Sequence, residues 1–195
     1  GGADLAAVTQ ELARRMQISS HIHPMSNQAV RTTVHSDEGH LPFQHYFVRR
    51  QCEPAVTGFS FEGLEQAQAN AQVMELLATN QFSHIIVCPS NPFVSIDPIL
   101  QVSGIWHALR DSSAAVTMVS PIVAGQAIKG PAAKMMTELS VPVTALGVAK
   151  HYADKYPGLV DDFLIDQSDA TLAPEISALG MRAHIAPTVM KTLED

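Results

Sequence analysis

From His84 to Ile185 the sequence alternates short apolar runs with stretches long enough for helices, and this alternation restricts the fold more than any other feature. Apolar runs fall at residues 85–88, 116–119, 143–146, 163–165 and 183–185, with helical patterns at 98–109, 131–139, 148–152 and 172–179. A strand followed by a helix returns in the same direction, so the pattern predicts parallel crossovers in a sheet covered on both faces. Ligands of such sheets sit outside the carboxyl ends of the strands, where the next loop presents backbone amides and short side chains. Two loops here have that composition. One is Cys88-Pro89-Ser90-Asn91-Pro92-Phe93-Val94-Ser95, and the other runs from Ser120-Pro121 to Lys129-Gly130-Pro131.

Upstream, a helix over residues 4–16 begins behind Asp4, with Leu5, Val8, Leu12 and Met16 at helical spacing. Residues 30–34 and 43–48 read as two strands joined by a four-residue turn, Ser36-Asp37-Glu38-Gly39, and residues 66–78 as a helix. A chain of 195 residues that is 46% hydrophobic can bury its core in one unit. The expected architecture is therefore a single α/β domain over residues 1–195: three-layer, with a mostly parallel Rossmann-like sheet and an additional β-hairpin. The chain opens on Gly1-Gly2 without methionine, and residues 190–195 read like a helix just beginning, so a fragment of a longer protein is expected.

Composition excludes several classes of function. With 12 Lys plus Arg against 19 Asp plus Glu, a net charge of −7, there is no broad basic face for a nucleic acid. No apolar run approaches the roughly 20 residues of a membrane-spanning helix. Two cysteines, Cys52 and Cys88, are too few for a disulfide framework and lack metal-type spacing, which suits a reducing cytoplasm.

The two loops carry the candidate chemistry. Asp97-Pro98 and Gly130-Pro131 read as cap-then-proline pairs, each aiming a helix start at the loop before it, where free amides favour an anion. Between residues 51 and 128 the only Lys or Arg is Arg110, so Lys129 stands out as either a phosphate ligand or a solvated loop lysine. Ser90, Asn91 and Ser95 can hydrogen-bond a phosphate, ribose or heterocycle edge, or can simply form turns and caps. Cys88 has no cationic neighbour in sequence to activate it and reads as a small buried apolar residue. His21 and His23 have no third metal ligand at a recognisable spacing, His35, His40 and His45 flank the hairpin turn, and Met135 and Met136 read as packing. Asp161, Asp162, Asp166 and Asp169 form an acidic cluster that could hold magnesium but reads as a solvated sheet end. No Walker loop, Gly-rich dinucleotide fingerprint or Ser-His-Asp pattern occurs. The residues alone lead to an α/β domain that binds a phosphorylated small molecule.

Ser90-Asn91-Pro92 with Ser95-Ile96 and Pro98-Ile99-Leu100, then Ser120-Pro121-Ile122 and Lys129-Gly130-Pro131-Ala132, resemble the 2-phospho-L-lactate transferases, the CofD or FbiA family. Pro24-Met25-Ser26, Tyr46-Phe47-Val48-Arg49-Arg50, Glu53-Pro54, Gly147-Val148-Ala149 and Met190-Lys191-Thr192 extend the resemblance along the chain. A sister family of nucleotide-sugar-binding regulators shares the fold but has a Gly-Ser-Leu-Tyr-Thr-Ser type loop where this chain has Ser90-Asn91-Pro92-Phe93-Val94-Ser95. The resemblance implies transfer of a 2-phospholactyl or phosphoenolpyruvyl group from a guanosine diphosphate-type donor to the hydroxyl of the deazaflavin Fo, releasing GMP, in coenzyme F-420 biosynthesis. It implies magnesium as cofactor, held by an amino-terminal part of full-length members that this chain lacks, so the chain alone is expected to be inactive. By position, Ser90, Asn91, Pro92, Ser95, Ser120, Lys129 and Gly130 are the expected substrate- and nucleotide-binding residues, with no catalytic residue assigned. A homodimer is also compatible, and the alternative function is a non-catalytic nucleotide-sugar-binding regulator of the same fold.

Overall fold

The structure, a computed structural model, describes residues 2–190 and 192. Helix α1 (Leu5–Arg15) starts where the Asp4 side chain accepts a hydrogen bond from the Ala7 amide, as an aspartate cap before an apolar-periodic run should. Of the expected carboxyl-terminal helix, Lys191 and residues 193–195 lie outside the described residues.

An antiparallel sheet follows: β1 (Arg31–Ser36), β2 (Gly39–Pro42) and β3 (Val56–Glu62), in the order β2-β1-β3. Its hairpin is tighter than expected. Ser36 pairs with Gly39, leaving only Asp37 and Glu38 in the turn, and Gly39 takes a φ of 108° that side chains disfavour. Residues 43–48 are not the second strand but enter a π-helical turn, His45–Arg49. Coiling is what brings Phe43 and Phe47 together, their rings stacked at 5.5 Å, while Tyr46 becomes fully buried. Strand β3 was not among the expected strands, and Gly58 interrupts its alternation.

Helix α2 (Ala71–Ala78) starts later than the periodicity of 66–78 implies, because Asn70 caps it by accepting from the Gln72 and Val73 amides. After β4 (His84–Val87), a π-helical turn (Pro92–Ile96) leads into α3 (Asp97–Leu100) and α4 (Ile105–Arg110). The single helix expected over 98–109 is split by Gly104, at a φ of 88°. Strand β5 (Ala115–Val119) precedes a small antiparallel pair, β6 (Ile122–Val123) and β7 (Gln126–Ala127), and then α5 (Ala132–Glu138). The apolar run at 143–146, read as a strand, instead opens α6 (Ala145–Lys155), because Thr144 accepts from the Gly147 amide and caps a helix there. Strand β8 (Asp162–Asp166), a 3₁₀ turn (Gln167–Leu172), α7 (Ala173–Ser177) and β9 (Arg182–Ala186) complete the chain.

Strands β4, β5, β8 and β9 form one sheet in that order, every pairing parallel. The α/β architecture is thus the expected one, helices around a parallel sheet with an antiparallel sheet in addition. One face of the parallel sheet carries Val116, Met118, Phe163 and Ile165, which join Val148, Ala149 and Tyr152 of α6 in the main core. The other face alternates with it and carries Thr117, Asp162 and Leu164 between Ile86 and His184, both exposed, so the cover expected on both faces is incomplete among the described residues. Two ties bring the antiparallel sheet against the carboxyl ends of the parallel strands. Lys134 Nζ donates to the Pro54 carbonyl at 2.9 Å, and Glu138 accepts from the Val56 amide at 2.9 Å, so α5 holds the start of β3.

Candidate functional site

A cavity of about 650 Å³ opens beside the carboxyl ends of β4, β5 and β9. Three loops wall it: Pro89, Ser90 and Asn91 with Val94 and Ser95 after β4; Ser120, Pro121 and Val123 after β5; and Thr188, Val189 and Met190 after β9. The segment from Ile128 to Ala132 forms a fourth side, and Phe43 and Phe47 from the antiparallel layer close over it. Its position agrees with the general rule for parallel sheets, and its size and mixed lining suit a small molecule with one apolar and one polar part.

Six of the expected site residues, Ser90, Asn91, Ser95, Ser120, Lys129 and Gly130, border this one cavity. Pro92 does not; it is buried as the first residue of the π-helical turn. Proximity does not make the six equivalent. Asn91 Oδ1 accepts from the Phe93 and Val94 amides at 3.0 and 3.4 Å, and its Nδ2 lies 3.2 Å from Met135 Sδ, so its amide is spent on a cap. The Ser120 hydroxyl is only 3% exposed as a residue and is engaged with both the amide and the carbonyl of Ile122. Ser90, Ser95 and Lys129 have no side-chain partner among the described residues, and Lys129 is exposed. These three are the groups available to a ligand.

The helix starts differ from expectation. Asn91, not Asp97, caps the segment after β4, with Pro92 at its first position. Asp97 is 2% exposed and faces α6, where it meets His151, Lys155 and Tyr156. In the second loop Pro131 itself is the cap residue, and it makes no side-chain capping bond.

The acidic cluster separates into individually satisfied carboxylates, three of them buried where a solvated sheet end was expected. Asp161 accepts from the Val116 amide, and Asp169 from the Ala124 amide. Asp162 is paired with Arg182 and, through its Oδ1, with His184. Asp166 accepts from the amides and hydroxyls of Ser168 and Thr188 and so ties the exit of β9 to the end of β8, setting the Thr188 wall of the cavity. The Ser168 hydroxyl, then the Ser168 and Thr188 amides, hold the Asp166 carboxyl well below the ordinary carboxylate range. Arg182 first, then the His184 ring, does the same for Asp162. Among the described residues no group of three or more His, Cys, Asp or Glu could hold a metal ion, so the residues described do not assemble a magnesium site. Cys88, expected to be buried, is exposed at the end of β4, and burial pushes the Cys52 thiol up.

Sequence reasoning missed the Thr188–Met190 side and the aromatic cover. The first had a usable signal, since the loop after every parallel strand deserves the attention given to the first two. Phe43 and Phe47 lie in or beside a segment that carries the family resemblance, but composition and spacing gave no sign that they face the cavity, because only the packing of the antiparallel layer delivers them. No helix of the described residues is long and apolar enough to cross a membrane.

The chain matches the family described as 2-phospho-L-lactate transferase CofD over residues 1–181. It is 33% identical to the 2-phospho-L-lactate transferase of Methanococcoides burtonii over 193 residues, 99% of this chain and 60% of that protein. It is 34% identical to the phosphoenolpyruvate transferase of Streptomyces griseus, again over 99% of this chain and 60% of that protein. The chain therefore spans about 60% of the length of these curated relatives. A crystal structure of a UPF0052-family protein from Bacillus halodurans superposes with a TM-score of 0.71 at 16% identity, covering 97% of this chain and 62% of that one, a likeness of fold.

Proposed function

The chain belongs to the 2-phospho-L-lactate transferase CofD family, and from that premise we propose that its cavity receives the donor and acceptor of the transfer. The donor in this reading is of guanosine diphosphate type, GMP joined through its phosphate to the phosphate of a 2-phospholactyl or phosphoenolpyruvyl group, and the acceptor is the hydroxyl of the deazaflavin Fo. The products are the phosphodiester-linked precursor of coenzyme F-420 and GMP. The observation that carries the reading is the convergence of Ser90, Ser95 and Lys129, side chains without protein partners among the described residues, on one cavity at the carboxyl ends of the parallel strands.

The chemistry is attack of an alcohol oxygen on phosphorus, with the bond to GMP breaking as the new one forms and the hydroxyl proton leaving to solvent. Such a transfer depends on positioning and on charge neutralisation more than on covalent participation by the protein. The Lys129 ammonium meets the anionic donor, the Ser90 and Ser95 hydroxyls hydrogen-bond its oxygens, and the apolar side made by Phe43, Phe47 and Val94 takes an aromatic ring. Magnesium, in this reading, supplies further neutralisation from residues other than those described.

Calorimetric titration of the chain with GDP, Fo and a UDP-sugar tests the proposal. Binding of GDP and Fo is the expected result. A response to the UDP-sugar alone would replace the transferase reading with that of a nucleotide-sugar-binding regulator. In a turnover assay with donor, Fo and magnesium the chain alone is expected to be inactive, and turnover would refute that expectation.

A further inference from the structure

Asp97 ends the π-helical turn that walls the cavity, its amide donating to the Pro92 carbonyl. Its side chain, 4% exposed, points away from the cavity into α6. There Oδ1 accepts from His151 Nε2 and from the Tyr156 hydroxyl, each at 3.0 Å, and Oδ2 accepts from Lys155 Nζ at 2.5 Å. An ionised carboxylate only accepts, so the His151 proton facing it sits on Nε2. Burial and the nearby Asp97 charge push the Tyr156 and Tyr152 hydroxyls up, which keeps both phenols protonated.

The same histidine grips the turn a second time. Its ring meets Phe93 edge-on at 5.2 Å, and Phe93 in turn stacks on Phe59 at 5.9 Å. Helix α6 thus holds the turn at Phe93 and at Asp97, the residues that bracket the cavity-lining Val94 and Ser95. Only the carboxylate of this cluster is buried, the Lys155 side chain being 41% exposed; a buried charge with its partners is a poor device for stability alone, since apolar residues of similar volume often serve as well, and what it fixes is a single geometry.

We propose that Asp97, together with His151, is a positioning residue that holds the Asn91 to Ser95 wall in the conformation that receives the donor's phosphates. This rests on the reading of the cavity given above. Asp97 touches no ligand; it acts through the backbone of the turn, which carries Ser95 and the Asn91 cap.

Hydrogen exchange and calorimetry with GDP as probe test this, using Asp97→Asn, which keeps the shape but removes the charge, against Asp162→Asn, which breaks an ion pair with Arg182 on the opposite sheet face. In Asp97→Asn without ligand, amides over 93–97 are expected to exchange at least tenfold faster, and GDP to bind at least tenfold more weakly. Asp162→Asn, at comparable loss of thermal stability, is expected to leave both unchanged. Unaltered exchange over 93–97 in Asp97→Asn, or equal effects of the two variants, would overturn the positioning role. Failure of the unaltered chain to bind GDP would overturn the donor reading, while the ligand-free exchange still decides whether the clamp exists.

Discussion

Residues that border one cavity divide by what their polar atoms already hold. Lys129 is exposed and without a side-chain partner among the described residues, so its loss should register in binding and not in folding. Lys129→Met is expected to weaken GDP binding by about 1.5–3 kcal/mol, the range for hydrogen bonds to charged groups, with an unchanged thermal midpoint; calorimetry and a melting curve check both halves. Ser120 is the reverse case, because its hydroxyl is committed to Ile122 inside a buried turn. Ser120→Ala should cost about 1–3 kcal/mol of stability, the penalty of leaving a buried group unsatisfied, measured by urea denaturation. Asp166 adds a pH dependence. Its folded value is held below the unfolded one, which for an aspartate is about 3.9, so its stabilisation is complete above that value and is lost as pH falls through the folded value. Asp162, lowered in the same direction, contributes with the same sign. Thermal midpoints should therefore drop below about pH 4, and Asp166→Asn should flatten that drop while lowering stability at pH 7.

Among elements, those with strong local signals were legible, and those where a cap or a contact overrides the local pattern were not. The four parallel strands could be read because each holds a short, largely apolar stretch set between helix-length segments, and α1 because Asp4 precedes a periodic stripe. The strand expected at 143–146 failed because a Thr144 cap outweighs β-branched composition, and the strand expected at 43–48 failed because Tyr46 is wanted in the core. Gly104 splits a helix in a way the sequence permits without announcing. Its φ is 88°, and a β-carbon added there would meet only the flexible Met74 Cε, at 3.5 Å, so Gly104→Ala should cost about 1 kcal/mol from backbone strain. Gly147 differs, since a β-carbon there would collide with the Pro142 carbonyl within the first turn of α6. Gly147→Ala should therefore exceed Gly104→Ala and reach the overpacking range of about 1–3 kcal/mol or more; chemical denaturation of the two variants gives the order.

Across the whole molecule, the apolar stripe of α1 shows how pattern and burial can part. Leu5, Val8, Leu12 and Met16 have the spacing of a core-facing helix, yet they are 42–70% exposed in this chain, and only Ala13 of the helix is buried. Polar contacts hold α1 instead, Asn27 to Asp4 and to the Ala6 amide, and Gln10 to Gln72. Replacing Leu12 and Met16 together by Glu is accordingly expected to change stability by no more than about 0.5 kcal/mol per site, as for ordinary surface positions; a melting curve shows whether they are core after all. The sequence by itself determined the strand-and-helix alternation, the parallel sheet and the loops at its carboxyl ends, because these depend on periodicity and on residues adjacent in the chain. Tertiary structure alone decided that Phe43 and Phe47 cover the cavity and that Asp97 turns inward to His151 and Lys155. Those outcomes depend on which distant groups meet in space, and hydrogen bonds and ring contacts across 50 or more residues leave no mark on local composition.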